Sequence, residues 1–177
     1  MTRALVASLL LLSFATLHAQ GRAAAPPPPT NLVAPSIPGV VAAGTKIELV
    51  KGDFRRTEGP VAMPDGGILF TNNNAITRID PGGSSSTFVE VSNGANGLAV
   101  DNDGRVYVAT NVGVEVFSPK GQFLGAIPAI WGAEVNALKK PQNLAFSGPG
   151  KKTLYMVAAG AVFKVQTLAQ GVKERAK

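Results

Sequence analysis

The chain contains no cysteine, which excludes a disulfide framework and any thiolate metal site. It has one histidine, His18, and that residue lies in a stretch that reads as a removable leader. The mature chain then offers neither an imidazole base nor an imidazole metal ligand. No Gly-x-Ser-x-Gly elbow, P-loop or Gly-x-Gly-x-x-Gly occurs, which disfavours a serine hydrolase, a nucleotide binder and a Rossmann enzyme. Charged residues are scarce at 16%, and aromatics scarcer at 6%. The net charge is +6, but the lysine pairs Lys139-Lys140 and Lys151-Lys152 and the tail Lys173–Lys177 are short and have no aromatics among them. They read as solvated turns and a frayed end, not as a nucleic-acid surface.

One long apolar run exists, from Ala4 to Ala15, preceded by Arg3 and followed by Thr16-Leu17-His18-Ala19-Gln20. It is too short to cross a bilayer comfortably. A basic start, an apolar core and a small residue near Ala19 describe a secretory signal peptide over residues 1–20. The expected location is secreted or periplasmic, with no membrane attachment after cleavage. Residues 21–44 are rich in Ala, Pro, Val and Gly, with four prolines at Pro26–Pro29, and read as an extended spacer.

What is abundant is glycine, 20 residues, and proline, 13, in a chain of 177. That favours one compact domain of short elements joined by tight turns. The domain is expected over 45–167, with a basic tail over 168–177. Lys46-Ile47-Glu48-Leu49-Val50 alternates like a half-buried strand. A repeated unit follows, clearest in Gly94–Thr110: Asn96-Gly97, the apolar run Leu98-Ala99-Val100, an Asx-Gly turn ending at Gly104, and the strand Arg105–Thr110. Asp-Gly between strand-like runs is a hairpin signal, because glycine accepts the positive φ of the turn. The unit recurs from Glu58 and from Pro141, with turn glycines Gly66, Gly104 and Gly150. A period near forty residues is that of four-stranded propeller blades, the second interval being stretched by an insertion over Trp131–Lys140. The expected fold is all-β, a partial β-propeller of about three blades. The third repeat lacks a fourth strand, which Lys46–Val50 could supply; a helix over Leu168–Arg175 is another option for the tail.

In a propeller the first strand of each blade lines the central channel. The polar residues opening the three inner strands are Glu58, Asn96 and Asn143. One carboxylate and two amide carbonyls are hard oxygen donors suited to Ca²⁺ or a similar divalent ion. Singly, each could equally satisfy backbone groups of a turn; in register within a repeat, they share a location. Asp65, Asp80, Asp101 and Asp103 lie toward turns at the far ends of the strands, and Glu115 alternates as a solvent-facing strand residue. Trp131 and Tyr155 suit either a sugar-binding surface or packing.

Glu58-Gly59-Pro60 with Pro64–Phe70 resembles the opening blade of the gluconolactonase/regucalcin (senescence marker protein) lactonase family. Asn96–Asp101, Gly113–Phe117, Pro141–Phe146 and Thr153-Leu154-Tyr155 are similar to its closing blades. The resemblance implies a six-bladed propeller that hydrolyses sugar and related lactones with one divalent metal, often calcium or zinc. In the family the metal is held by the glutamate of Glu-Gly-Pro, by an asparagine, and by an aspartate before Gly-Leu that serves as base. Carried over, this makes Glu58, Asn96 and Asn143 the metal shell and leaves the catalytic base unassigned, because Asn96 stands where the aspartate is expected. An amide ligates through its carbonyl but accepts no proton at neutral pH. Three blades are also fewer than the four to eight of closed propellers. The resemblance thus implies an internally shortened relative, with first and last blades joined near Asn96. Its expected ligand is a small lactone or sugar-like molecule. A homodimer is expected to complete six blades, and a non-catalytic binding or scaffold fragment is the alternative function.

Overall fold

The computed structural model describes residues 33–129 and 138–173; the expected leader over 1–20, Trp131 and the end of the basic tail lie outside them. The chain divides into two units, Met1–Glu48 and Leu49–Lys177. The first contains two isolated bridges, Val33 with Lys46 and Ile37 with Val41, where an extended spacer was expected up to Gly44. Residues 47–50 are not a strand. Alternation alone does not hold five residues extended when no ladder receives them, and Ile47, Leu49 and Val50 stand exposed.

The second unit is all-β, with three antiparallel sheets. The first takes β1 (Thr57–Ala62), β2 (Ile68–Asn72), β3 (Ala75–Ile79) and β4 (Ser85–Glu90) in chain order. The second takes β5 (Leu98–Val100), β6 (Val106–Thr110), β7 (Gly113–Phe117) and β8 (Phe123–Pro128), again in order. The third holds β9 (Asn143–Ser147), β10 (Thr153–Ala158) and β11 (Ala161–Gln166), with β10 central. These are three blades of a partial propeller. The third sheet has three strands, so Lys46–Val50 does not complete it.

One turn is used four times. At Met63, Asp80, Asp101 and Ser118 the backbone N–H donates to the carbonyl four residues on, and the carbonyl accepts from the glycine three residues on. Those glycines, Gly66, Gly83, Gly104 and Gly121, have φ between 78° and 88°, which only glycine adopts at little cost. The third blade departs from this scheme. Its Gly148-Pro149-Gly150 segment enters a short 3-10 turn, Pro149–Lys151.

Strands β5, β6 and β7 of the middle sheet are buried on both faces, its edge strand β8 being largely exposed, and the alternation of the inner strands shows how. Leu98, Val100, Val106, Val108 and Phe117 pack with Val61, Leu69 and Ile76 of the first sheet. Ala99, Tyr107, Ala109 and Val114 pack with Leu144, Phe146, Leu154 and Met156 of the third. Glu115 is therefore buried, contrary to its expected solvent-facing role, because no position on β7 faces water. Its carboxylate accepts from the backbone N–H and hydroxyl of Ser92, at 3.0 and 3.2 Å. The third sheet keeps a free face, on which Val157 and its register partner Val162 are exposed. The outer face of the first is partly covered: Phe70, Thr77 and Ile79 are buried, and Phe54 packs edge-on against Phe70 at 5.0 Å.

The tail forms no helix over its described residues. Gly171 bridges Asp101, and Gln170 accepts from the Asn102 N–H at 2.7 Å. Asp101 is fully buried. Its Oδ1 accepts from the N–H groups of Asp103 and Arg105, and its Oδ2 from Arg105 Nε at 2.6 Å and the Tyr107 hydroxyl at 2.9 Å. This carboxylate ties the turn to the following strand, as its turn-end position suggests, while the backbone of the same turn holds the tail.

Asp101→Asn keeps the shape but places an amide where four donors converge. It should cost about 2–3 kcal/mol in urea unfolding, the penalty for mispairing buried hydrogen bonds. Burial, and then the Asp101 charge, push the Tyr107 phenol well above its ordinary value. A raised folded pKa contributes stability that is complete below the unfolded value of about 10 and is lost as pH rises through the folded one. Alkaline unfolding followed by circular dichroism should therefore be steeper above about pH 10 in the wild type than in Tyr107→Phe.

Candidate functional site

The three inner strands approach one another at their leading ends. A methyl carbon added to Gly59 would lie 2.9 Å from the Gly97 Cα. One added to Gly97 would lie 2.3 Å from Asn143 Oδ1 and 2.7 Å from its Cα. Only hydrogen fits between these backbones, which explains why Glu58 and Asn96 are each followed by glycine. The Asn96 N–H donates to Ala109 within the second sheet, while the Gly97 N–H donates to Gln142 ahead of the third, both at 2.9 Å. Gly97 is thus the hinge point between two blades. The structure brings Glu58, Asn96 and Asn143 to one end of the domain, as their common register requires.

Their side chains then part. The pairing of β1 with β2 shifts between Glu58 and Val61, a bulge at Gly59-Pro60, where Gly59 has φ 54° and Pro60 has no N–H to offer the ladder. A bulge re-aims the adjoining side chain. The Glu58 carbonyl is fixed by the buried Thr71 hydroxyl at 3.0 Å, while its carboxylate is exposed. Glu58 and the half-buried Asn96 line one cavity of about 400 Å³. Asn143 does not line it, and its Oδ1 accepts from the Leu144 N–H at 2.9 Å.

The same cavity is lined by Arg56, Asn73, Asn74 and Lys140, which sequence reasoning missed. Asn73-Asn74 form the β2–β3 turn, which shares a blade end with the start of the inner strand. That topological rule, applied to the Asn-rich turn, was the available signal. Asn74 is anchored by its Nδ2 donating to Asn93 Oδ1 at 2.7 Å, and its carbonyl accepts from the Val91 N–H at 2.9 Å. Arg56, Asn73 and Lys140 have φ of 48°, 59° and 41°. Left-handed backbone costs an ordinary L-residue about 1–2 kcal/mol, and asparagine less. Three such residues around one cavity mark it as a strained, constrained rim.

Chemically the cavity holds one carboxylate, three amides and two cations. Glu58 and Asn96 fit a hard divalent ion as two oxygen donors, short of the six to eight that Ca²⁺ takes. Among the described residues no group of three or more His, Cys, Asp or Glu side chains could hold a metal. Asp65, Asp80, Asp101, Asp103 and Glu115 are engaged elsewhere. Asp65 and Asp80 both pair with Arg78 at the turn end, and the Gly67 N–H, followed by Arg78, lowers the Asp65 carboxyl below its ordinary value. Tyr155, half-buried on the third sheet, lies away from the cavity.

This arrangement, a partial propeller with its polar cavity at the inner-strand ends, defines the class of protein. The sequence model of the SMP-30/gluconolactonase/LRE-like region matches residues 40–160, and the chain belongs to that family. No curated protein matches the sequence. Among solved structures, one assigned as a gluconolactonase shares 25% identity at a TM-score of 0.55, over 67% of this chain and 41% of its own length. A gluconolactonase from Xanthomonas campestris is 20% identical at a TM-score of 0.57, over 70% of this chain and 41% of its own. The calcium-binding protein regucalcin from Agrobacterium tumefaciens is 18% identical at 0.54, over 66% and 47%. The chain thus spans less than half the length of these structures.

Gly97→Ala tests the inner-strand junction. The added methyl meets Asn143 backbone, so unfolding free energy should fall by about 1–3 kcal/mol in a denaturant titration, the usual cost of overpacking.

Proposed function

We propose that the chain is a lactonase-type protein whose cavity takes a small sugar-type lactone, with a divalent ion, Ca²⁺ or Zn²⁺, as cofactor. The observation that carries this reading is the joint lining of one cavity by Glu58, re-aimed by its Gly-Pro bulge, and Asn96. Glu58 would hold the ion through its carboxylate and Asn96 through its amide carbonyl. Asn143 would join only through the second lone pair of an oxygen already accepting from Leu144. When bound, such an ion polarises a lactone carbonyl and lowers the pKa of water. The chain's own residues supply the rest: Asn73, Asn74 and Asn96 offer amides to hydroxyls of the ligand, and Asn96 takes no proton.

The reading extends to assembly and location. Strands β5–β7 of the middle sheet are buried on both faces, whereas the third sheet leaves Val157 and Val162 exposed, which supports a homodimer in which two half-rings meet. The leader supports export to the periplasm or medium. The second reading, a binding or scaffold fragment of the same family without catalysis, is favoured by one observation: among the described residues Glu58 is the only carboxylate lining the cavity, and a ligand to the metal is not free to be the base.

Calorimetric titration with Ca²⁺ or Zn²⁺ should show binding that Glu58→Gln weakens by about ten-fold or more, as expected for loss of a charged ligand. No binding, or binding indifferent to the substitution, overturns the metal assignment. Gluconolactone hydrolysis abolished by a chelator supports the enzyme; ligand binding without hydrolysis supports the fragment. Light scattering should return the mass of two chains, and a stable folded monomer at micromolar concentration contradicts the closed ring.

A further inference from the structure

Arg56 and Lys140 line the cavity from separate loops, one ahead of β1 and one ahead of β9. Both are exposed. Other cations are paired: Arg78 with Asp65 and Asp80, and Arg105 with Asp101 and Asp103. Arg56 and Lys140 are the two cations that line the cavity, neither forms an ion pair among the described residues, and both are held in left-handed backbone. A cavity meant for a metal cation alone has no use for two positive side chains, which oppose the ion's charge. A cavity for a neutral polyol needs only the amides.

We infer that the cavity recognises an anionic sugar acid, with Arg56 and Lys140 pairing its carboxylate and Asn73, Asn74 and Asn96 binding its hydroxyls. Guanidinium and ammonium bind carboxylates through charge-assisted hydrogen bonds, about twice as strong as neutral ones. Hydrolytic opening of a lactone yields a hydroxy acid: water adds to the acyl carbon, the ring C–O bond breaks, and the acid then loses a proton to solvent. The acid form therefore carries the charge that these two residues match, and a neutral lactone does not. The three amides beside the two cations suit the hydroxyls of a polyol chain that carries the carboxylate. The inference rests on the reading of the cavity as the ligand site.

The test is calorimetric titration of the chain with D-gluconate, D-glucitol, D-gluconolactone and inorganic phosphate, using wild type, Arg56→Gln and Lys140→Gln. Glucitol is the same polyol without the carboxylate. Gluconate should bind about ten-fold or more tightly than glucitol, and each substitution should weaken gluconate by about ten-fold while leaving glucitol unchanged. Added salt should weaken gluconate binding in the wild type, because both cations are exposed. Circular dichroism should show both variants folded. Equal binding of gluconate and glucitol, or gluconate binding indifferent to both substitutions, overturns the inference but leaves the ligand site standing. Phosphate binding as tight as gluconate overturns it as well, in favour of a general anion site. If neither polyols nor lactone bind, the inference and the proposed ligand site fall together.

Discussion

The packing of three backbones at the inner-strand ends governs this fold. With Gly97 wedged between Gly59 and Asn143, no side chain fits, and the sheets must meet where Glu58 and Asn96 begin their strands. Backbone contact fixes position more tightly than side-chain packing does, since no rotamer can relieve it. The same contact that seats the blades against one another therefore defines the cavity wall. The Gly59-Pro60 bulge adds the second element, turning Glu58 away from the regular ladder.

From that junction the middle sheet acquires its character. It is enclosed by blades on both sides, so every residue of β6 is buried, whichever way it points. Polar groups admitted there must be paired. Asp101 accepts from Arg105 and Tyr107 side chains and two backbone N–H groups, and Glu115 accepts from Ser92. Both acids are structural, Asp101 at the turn end of the sheet and Glu115 in the middle of β7. The third sheet lacks that enclosure, and its free face, with Val157 and Val162 exposed, is the physical basis for expecting a second half-ring.

Much of this was legible in the residues. Gly66 and Gly104 mark repeated turns because positive φ is a backbone demand that few residues meet, and the demand is local. The common register of Glu58, Asn96 and Asn143 placed them together because equal offsets in a repeat mean equal locations. What escaped reading depends on partners. Lys46–Val50 alternates without a ladder to join. Glu115 follows strand alternation, but burial on both faces is a tertiary fact. Gly150 imitates the other turn glycines, while Pro149 beside it enters a 3-10 turn instead. Arg56 and Lys140 come from loops outside the repeat, so no period announces them, and nothing in Asn143 itself foretells that its amide turns to Leu144.

The account therefore centres on one cavity, built by strand ends and furnished by loops. Nuclear magnetic resonance of the isotopically labelled chain, titrated with D-gluconolactone and D-gluconate, addresses it most directly. The account predicts shifts in the side-chain amides of Asn73, Asn74 and Asn96 and in the backbone around Arg56 and Lys140. Unchanged signals there, or shifts confined to the Asp101 turn and the tail at Gly171, would contradict it.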